Sequence, residues 1–570
     1  MSTANLSFIQ RLRLRENHIF LALSIIIGVL SGLAAVLFTL AIKGTTHTLF
    51  GVAPSNLRYI LVPTLMSLVT GFLLARFFPE ARGSGVPQTE AAYHLNQGNV
   101  PFRVAFGKFL TGVLCIGSGH SMGREGPSVQ IAAGIASPIG KWFHLSPVRR
   151  QSLVPIAAAA ALSAAFNTPI AAVIFALEEI IGDKNATLLG STVVASVAAV
   201  IVERSVLGNN PVFRVPAYQL VSPAELIGYL ILGIAGGIVS LAFCKGLLRA
   251  RKLFMAMPKW SKIFQPAMGG LVIGLILIFF PQVMGVGYQF VDQAMNGSLL
   301  LKTMLLLCLA KFIATIVSYS SGNAGGIFAP SLYLGAMAGG AVGVLMHRFA
   351  PFPTGDPGAY ALVGMGTLFA GIVRAPMTSV FMIFELTQDY QVLVPLMVAN
   401  MISYLISRRY QPVPLYHALL EQDHVHMPNL SAQQATSFWR ARDVMTREFT
   451  LVSPDCSIQS ASGIALQSNA QSLVVGVDGL YSGLVTRDQI ERALNTGSGN
   501  ASIRTVVTDN YVHVHPDHPL ELVMERLAKN PGLLPVVSRI QGNRVEGIIT
   551  PQTVLEFVQK KLNEPKSIGV

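Results

Sequence analysis

Long stretches without a charged side chain constrain the fold of this chain most strongly. Residues 18–42, 151–177, 226–244, 263–291, 312–347 and 390–407 contain no Asp, Glu, Lys or Arg. A helix needs about 20 apolar residues to cross a bilayer, and several of these stretches are long enough. Only 12% of all residues are charged, against roughly 25% in soluble proteins. The alternative, burial in a large soluble core, is therefore disfavoured, and the sequence predicts an all-α polytopic membrane domain.

Basic residues indicate the orientation of the chain in the membrane. Arg11, Arg13 and Arg15 precede an apolar stretch that is too long for a cleaved signal peptide. Arg408 and Arg409 close the last apolar stretch. By the positive-inside rule we expect a multi-pass protein of the cell (inner or plasma) membrane with cytoplasmic N- and C-termini. A further basic cluster predicts another cytoplasmic loop: Lys245, Arg249, Arg251, Lys252, Lys259 and Lys262.

The net charge of +13 is explained by this topology. No compact basic patch with interleaved aromatic residues is present, so nucleic acid is not an expected partner. Cys115, Cys244, Cys308 and Cys456 are far apart and have neither metal-ligand nor disulfide-framework spacing. We expect them to be packing residues, and we expect no metal site.

The composition changes near residue 418, which predicts two domains. Residues 1–418 form the expected transmembrane domain, and residues 419–440 have the composition of a polar linker. Residues 441–498 and 499–570 have the short alternating and amphipathic stretches of a soluble α/β module in two similar units.

Each unit of the tail has an apolar strand that ends in Thr and continues into a helix. The first unit has Gly483-Leu-Val-Thr486-Arg-Asp488, and the second has Gly547-Ile-Ile-Thr550-Pro-Gln552. The pattern resembles a tandem pair of cystathionine-β-synthase (CBS) domains. The resemblance implies a candidate adenine-nucleotide site at Thr486, Asp488 and Thr550, although Gln552 replaces the second ribose-binding Asp. The alternative is a structural or dimerising module without a ligand.

The membrane part contains an internal repeat. The segment from Asn167 to Glu178 matches the segment from Arg374 to Glu385, with Pro376 following Pro169 by 207 positions (376 − 169). Pro330 follows Pro127 by 203 positions (330 − 127) in a second matched pair. Two similar offsets predict a duplicated domain with halves at about 20–210 and 222–410.

Duplicated halves with Gly/Pro-interrupted apolar segments are typical of transporters with a site at the membrane midplane. A helix that begins inside the membrane leaves its first backbone N–H groups without partners and carries about half a positive charge at that end. Glycine permits close approach of an anion, and proline in the first turn removes no N–H that the helix needs. Such helix starts predict binding of small anions.

Four segments together resemble the signature motifs of the CLC chloride channels and transporters, over about residues 18–418. They are Gly83-Ser84-Gly85-Val86-Pro87, Gly123-Arg124-Glu125-Gly126-Pro127, Gly326-Ile327-Phe328-Ala329-Pro330 and Pro414-Leu415-Tyr416. The resemblance implies the CLC-like inverted repeat with interrupted helices, followed by the cytoplasmic CBS pair. It further implies a homodimer with one anion pathway per subunit, and chloride as the bound ion with no cofactor required.

The resemblance also assigns roles to individual residues. Ser84 and Tyr416 would coordinate chloride through their hydroxyl groups, and Ile327 and Phe328 through their backbone N–H groups. Ser84 implies a preference for chloride over nitrate, since Pro accompanies nitrate preference in the family. From the residues alone, Ser84 could instead be a small helix-packing residue, and Tyr416 a tyrosine of the membrane interface.

Glu125 would be the external gating glutamate, whose carboxylate competes with the anion for its site. A carboxylate inside a membrane is a functional candidate by default. Its protonation would remove the attraction to the anion site and couple proton binding to anion occupancy. The alternative is a structural salt bridge between Glu125 and Arg124.

Glu179 distinguishes an exchanger from a channel. In the repeat, Glu178 matches Glu385 whereas Glu179 matches Leu386, so Glu179 occurs in one half only. It aligns with the internal proton-transfer glutamate of the family's exchangers, and the alternative is a solvated carboxylate at a helix end. The sequence therefore predicts a chloride/proton antiporter, with a passive gated chloride channel as the alternative. No phosphate loop, metal-ligand cluster or nucleophile elbow indicates an enzyme.

Overall fold

The computed structural model describes residues 3–52, 54–182, 188–208, 213, 220–427, 439–468, 470–507, 512–529, 532–539 and 544–563. These residues divide into two compact units, Met1–Pro428 and Asn429–Val570. Residues 428–438 of the predicted linker lie outside the described part, as do most residues between 209 and 219 at the predicted junction of the two halves.

In its described residues the first unit is helical, and it begins with eight α-helices. They are α1 (Thr3–Phe50), α2 (Asn56–Arg76), α3 (Val86–Leu95), α4 (Phe102–Gly117), α5 (Glu125–Trp142), α6 (Pro147–Phe166), α7 (Pro169–Phe175) and α8 (Leu189–Leu207). A π-helical segment, Ala176–Ile181, continues α7.

Eight further helices follow in the same order of long and short elements. They are α9 (Leu226–Met255), α10 (Gln265–Phe279), α11 (Tyr288–Met295), α12 (Leu301–Ser320), α13 (Phe328–Phe349), α14 (Pro357–Ile372), α15 (Pro376–Thr387) and α16 (Leu393–Tyr410). The short helix α17 (Leu415–Gln422) completes the unit. Helices at equivalent places in the two halves form equivalent pairs. Helix α5 packs on α6, and α13 packs on α14. In the same way, α1 packs on α8, and α9 packs on α16.

Small residues allow these helices to pack closely. A Cβ added to Gly339 would lie 2.9 Å from the Gly364 Cα, and one added to Gly364 would lie 2.7 Å from the Gly339 Cα. Helices α13 and α14 therefore approach backbone to backbone, as in membrane helix pairs with small residues at the interface. Among the described residues, six helices are long and apolar enough to cross a membrane: His18–Phe50, Asn56–Arg76, Leu189–Leu207, Pro223–Met255, Leu301–Ser320 and Phe328–Phe349.

The basic cluster after residue 244 is helical rather than a loop, which corrects the prediction for its first four members. Lys245, Arg249, Arg251 and Lys252 lie on α9, which continues to Met255. Long basic side chains can reach solvent or polar partners from a helix end, and Arg251 does so by pairing with Asp423 at 2.6 Å. Lys259 and Lys262 lie beyond the end of α9, in the 3-10 helical turn Lys259–Ile263, so the cluster spans the helix end and the connection to α10.

The described residues of the second unit form two small sheets and short helices. Strands β1 (Leu451–Val452), β2 (Ser472–Val477) and β3 (Leu480–Thr486) form one sheet, and β4 (Leu534–Val537) pairs antiparallel with β5 (Val545–Ile549). The helices are α18 (Ala441–Val444), α19 (Ile458–Gln467), α20 (Arg487–Asn495), α21 (Leu520–Lys529) and α22 (Pro551–Asn563). In both repeats the sequence pattern of strand, Thr and helix is confirmed.

Candidate functional site

Three loops, each leading into a helix, meet inside the first unit. Gly83 bridges to Ala324, and Gly123 bridges to Gly326 through reciprocal N–H···O bonds of 2.8 Å. Helices α3, α5 and α13 begin directly after these loops, at Val86, Glu125 and Phe328. The structure thus brings together the three Gly/Pro segments that the sequence singled out, with their helix starts adjacent.

Glycine is required where α3 meets α5. Gly85 has φ +106°, in the region that only glycine adopts readily, and a Cβ there would lie 3.1 Å from the Gln130 Cβ and closer still to the Gly126 carbonyl oxygen. A Cβ on Gly126 would in turn lie 2.7 Å from the Ser84 hydroxyl oxygen. Any larger residue would therefore fill the space between the two helix starts.

Each of the three helices also carries a proline in its first turn. Pro87, Pro127 and Pro330 are buried within two residues of the helix start, where no intrahelical hydrogen bond is lost. The backbone N–H groups of Ile327 and Phe328 lie at the start of α13, where they have no intrahelical acceptor.

Two hydroxyl groups in this region lack hydrogen-bond partners. Ser84 and Tyr416 are at most 1% exposed, and in the described part of the chain neither hydroxyl oxygen has a partner. The two hydroxyl groups lie close to each other. Leaving a buried hydroxyl unsatisfied costs about 1–3 kcal/mol, so this is a place where an anion would be stabilised by donors that are otherwise unused.

Glu125 is fully buried at the start of α5. Its Oε1 accepts a 2.7 Å hydrogen bond from the Tyr288 hydroxyl, and its Oε2 lies against Gly123. Among the ion pairs of the described residues, none joins Glu125 to Arg124. Arg124 instead donates to the Ala165 carbonyl oxygen and lies 6.0 Å from the centre of the Tyr288 ring. The alternative of a structural salt bridge is therefore not what the structure shows.

Two fully buried lysines fix loops beside the site. Lys108 donates to the carbonyl oxygens of Ala81 and Gly83 at 2.9 and 2.5 Å. Lys311 donates to those of Val283 and Gly285 at 3.0 and 2.7 Å. Lys311 and Tyr288 are not among the residues that the sequence singled out. The signal was available, because Lys311 follows Lys108 by 203 positions (311 − 108), the same offset as the Pro127/Pro330 pair.

The matched glutamates Glu178 and Glu385 cap helices of opposite halves. Glu178 accepts hydrogen bonds from the backbone N–H groups of Met377 and Thr378 at the start of α15, and from the Thr378 hydroxyl. Glu385 accepts from the N–H groups of Ile170 and Ala171 at the start of α7. Capping therefore gives a structural role to both glutamates of the repeated pair, Glu178 and Glu385. Glu179 caps no helix in the described structure.

Glu179 lies in the π-helical segment among other charged groups. It interacts electrostatically with Glu90, Glu178 and Arg374. Glu90 is 2% exposed, and its Oε1 lies 2.6 Å from Nε2 of His417 on α17. Sequence reasoning did not single out His417, although it directly follows Tyr416. The structure thus places the carboxylates of Glu90 and Glu179 near the helix that carries both Tyr416 and His417.

A cavity of about 560 Å³ reaches the loop that precedes α3. Arg82, Gly83 and Gln88 line one side, and Arg251 and Tyr319 line another. The carboxylates of Glu80 and Asp423 line the same cavity, and Asp423 pairs with Arg251, so the two guanidinium groups are accompanied by two acidic groups.

The tail residues singled out in the sequence are helix caps. The Thr486 hydroxyl accepts a hydrogen bond from the Gln489 N–H at the start of α20, and the Thr550 hydroxyl accepts one from the Thr553 N–H. Asp488 lies in the first turn of α20. These bonds explain both threonines structurally, whether or not a ligand binds.

Comparison with known proteins identifies related chains for both units. The family model described as voltage gated chloride channel matches residues 65–408, and the CBS domain model matches 441–496 and 503–560. An H(+)/Cl(-) exchange transporter ClcA of Vibrio campbellii is 32% identical over 434 residues, covering 73% of this chain and 92% of the relative. A ClcA of Yersinia pseudotuberculosis is 33% identical, covering 70% of this chain and 87% of the relative. These curated relatives are named as transporters and not as enzymes.

Solved structures show the same architecture. A slow cyanobacterial Cl-/H+ antiporter superposes with a TM-score of 0.66 at 28% identity, covering 71% of this chain and 97% of the other. A eukaryotic CLC transporter gives a TM-score of 0.61 at 22% identity and covers 94% of this chain and 97% of the other, which shows a shared fold that includes the tail. Since the family model covers more than half of the sequence and the Vibrio relative is matched over most of its length, this multi-pass membrane protein belongs to the voltage gated chloride channel family and carries two CBS domains at its C-terminal end.

Proposed function

We propose that the protein is a secondary-active antiporter that exchanges chloride-like anions for protons. One observation carries the proposal. The starts of α3, α5 and α13 meet at backbone bridges, and the carboxylate of Glu125 is buried at this meeting point. A group that can be anionic or neutral thus occupies a place built for anions, so proton binding and anion binding are linked there. The names of the relatives, H(+)/Cl(-) exchange transporter and Cl-/H+ antiporter, support the same function.

Chloride binds, in this proposal, between the unpartnered hydroxyl groups and the start of α13. Ser84 and Tyr416 donate from their hydroxyl groups, and Ile327 and Phe328 donate from their backbone N–H groups. The flanking glycines and prolines shape the three helix ends around the ion. Neutral donors and helix ends hold the anion without the desolvation cost of a dedicated buried cation.

Glu125 acts as the external gate and proton carrier. When ionised, its carboxylate occupies an anion position at the same helix ends. When protonated, it loses that electrostatic attraction and yields the position to chloride. Each transport cycle therefore has to load and unload a proton on this side chain.

Glu179 acts as the internal proton-transfer group. It is the one acid of its pair that caps no helix in the described structure, and it lies near Glu90, itself paired with His417. This cluster offers sites for a proton away from the anion-binding hydroxyl groups.

Reconstituted protein tests the proposal. Vesicles with opposed chloride and proton gradients should show a reversal potential displaced from the chloride equilibrium value, as coupled exchange requires. A reversal potential that follows chloride alone would contradict antiport and leave a passive gated channel. Glu125→Ala and Glu179→Ala should each abolish proton movement while chloride flux persists. Proton transport that survives in Glu179→Ala would refute the role of Glu179.

The assembly and topology complete the proposal. We expect a homodimer with one pathway per subunit, in the cell membrane, with both termini in the cytoplasm. Cross-linking in membranes tests the dimer, and protease protection of N- and C-terminal tags in oriented vesicles tests the topology.

The CBS pair is proposed to bind an adenine nucleotide at Thr486, Asp488 and Thr550 and to shift transport by binding one transporter state more tightly. Titration calorimetry of the full-length protein in detergent with ATP, ADP and AMP tests this. Absence of heat with all three nucleotides would leave the pair as a structural module.

A further inference from the structure

The second half of the membrane unit contains a counterpart of the loop that carries Ser84. Residues 83–85 form the anion loop, and residues 283–287 form what we call the latch loop. Glycines with positive φ stand at equivalent places, Gly83 and Gly85 in the anion loop and Gly285 and Gly287 in the latch loop. Helix α3 begins directly after the first loop, and α11 begins directly after the second.

A buried lysine holds each loop in the same way. Lys108 donates to two carbonyl oxygens of the chain that enters the anion loop. Lys311 donates to Val283, Gly285 and Val286 of the latch loop, at 3.0, 2.7 and 3.4 Å. Both lysines are 0% exposed, and burying a cation is costly unless it is satisfied. Each lysine is thus satisfied by carbonyl oxygens of the loop that it holds.

The difference between the loops is the group that each presents. At the latch loop, the first residue of the following helix is Tyr288, whose hydroxyl donates the 2.7 Å hydrogen bond to Glu125. Its ring is held by Phe213 at 4.8 Å and Phe166 at 6.3 Å between ring centres. The hydroxyl thus approaches Glu125 from a ring that is packed on two aromatic neighbours.

Four other groups determine the electrostatic surroundings of Glu125. Tyr288 approaches from α11 and Lys311 interacts from α12. Arg124 precedes Glu125 and faces the Tyr288 ring, and Tyr416 interacts from α17. Among these four groups, all in the described part of the chain, only Tyr288 donates a direct hydrogen bond to the carboxylate.

We propose that Tyr288 is a positioning residue that holds the ionised Glu125 carboxylate in its buried place, so that the latch loop sets how readily the gate opens. A hydroxyl donor stabilises the charged carboxylate more than the protonated acid. Without it, the gate leaves its place more readily, and chloride efflux should persist to a higher pH. The inference rests on the proposed gating role of Glu125 and names the group that tunes it.

The test is the pH profile of chloride efflux from vesicles that contain Tyr288→Phe. This change removes one hydroxyl and keeps the packed ring. Loss of a hydrogen bond to a charged group should move the pH of half-maximal efflux upward by about one unit. Tyr333→Phe is the matched control, because the Tyr333 hydroxyl is buried without a partner in the described structure. Its profile should coincide with that of the wild type.

Two further variants make the result decisive. In a Glu125→Ala background, Tyr288→Phe should cause no shift, because the two residues act as one unit. Lys311→Met frees the latch loop and should shift the pH profile in the same direction as Tyr288→Phe. It replaces Tyr288→Phe as the test if that variant does not fold. A Tyr288→Phe profile that overlays the wild type, or a shift that persists in Glu125→Ala, would overturn the latch.

The latch and the proposed antiport fail in different ways. Wild-type protein that moves no protons under opposed gradients contradicts antiport, yet its chloride efflux still reports on the gate. If the wild-type protein couples chloride to protons but the Tyr288→Phe and Lys311→Met variants keep the wild-type pH profile, the latch is wrong and antiport stands.

Discussion

Two adjacent carboxylates, Glu178 and Glu179, should separate stability from proton transport. Glu178 accepts three hydrogen bonds at the start of α15, at 3.2 and 2.8 Å from backbone N–H groups and at 2.8 Å from the Thr378 hydroxyl. Glu179 caps no helix in the described structure and lies near the like charges of Glu90 and Glu178. Replacement of each by Gln keeps the shape of the side chain and removes its charge.

The cost of Glu178→Gln follows from these contacts. A hydrogen bond to a charged group contributes about 1.5–3 kcal/mol, and the amide retains one of the two acceptor oxygens. The interaction of a full negative charge with the helix start adds about 0.3–1 kcal/mol. We therefore expect a loss of about 2–3 kcal/mol. For a unit that ends at Pro428, an unfolding entropy of about 2 cal/mol/K per residue converts this loss to a Tm lower by about 2–4 °C.

Glu179→Gln should behave in the opposite way. Removal of one of three neighbouring carboxylates relieves like-charge repulsion, so the Tm should stay equal or rise slightly. Proton transport should be lost, since an amide cannot carry the proton, and chloride flux should remain. Thermal unfolding in detergent and the reversal potential in vesicles, both measured on the same preparations, provide the two readouts.

A particular result would refute the reasoning. If Glu178→Gln abolished proton transport without a change in Tm, Glu178 would be the transfer group and its hydrogen bonds to α15 would be incidental. Glu385→Gln is the matched control, because Glu385 caps α7 through two backbone N–H groups. It should lower the Tm by a similar amount and leave coupling intact.

Three shorter predictions address neighbouring residues. Lys108→Met leaves the Ala81 and Gly83 carbonyl oxygens without their donor and should weaken chloride binding, measured by titration calorimetry, whereas unchanged affinity would show that the anion loop is fixed by other contacts. Gly85→Ala combines a φ of +106° with a clash at the Gly126 carbonyl, so we expect loss of folded protein by size-exclusion chromatography; normal yield and flux would contradict the need for glycine. His417→Ala leaves Glu90 buried without its partner, which should cost about 3 kcal/mol near neutral pH. The difference in Tm from wild type should shrink as the pH falls, because a protonated Glu90 needs no cation; a constant difference would contradict this.

The sequence predicted the parts of this protein that depend on local chemistry. Charge-free stretches indicated membrane helices, and strand, Thr and helix patterns indicated the tail. The paired offsets indicated a repeat whose helices the structure shows in matching order. The basic cluster on α9 was assigned wrongly to a loop, because a charge pattern does not distinguish a solvated helix end from a turn.

Contacts across the repeat could not be read from local patterns. Tyr288 and Glu125 are 163 positions apart, and Glu90 and His417 are 327 apart. Tyr288 is an ordinary aromatic at a helix start until the fold brings it to Glu125. The offset of 203 positions between the lysines was the one sequence signal that led towards it, since it makes the latch loop equivalent to the anion loop.

Duplication explains why the site has two kinds of loop with the same frame. Both halves supply a loop with two positive-φ glycines, a buried lysine that fixes it and a short helix that follows. The first half places a small hydroxyl, Ser84, in its loop, where the side chain lies against Gly126. The second half places a tyrosine at the start of its helix, which reaches Glu125. Ser84 lies between the two glycines of its loop, whereas Tyr288 follows the second glycine of its loop, so the two equivalent frames present their functional groups from different positions. Mutations in one loop should therefore alter anion affinity, and mutations in the other should alter the pH dependence of the gate.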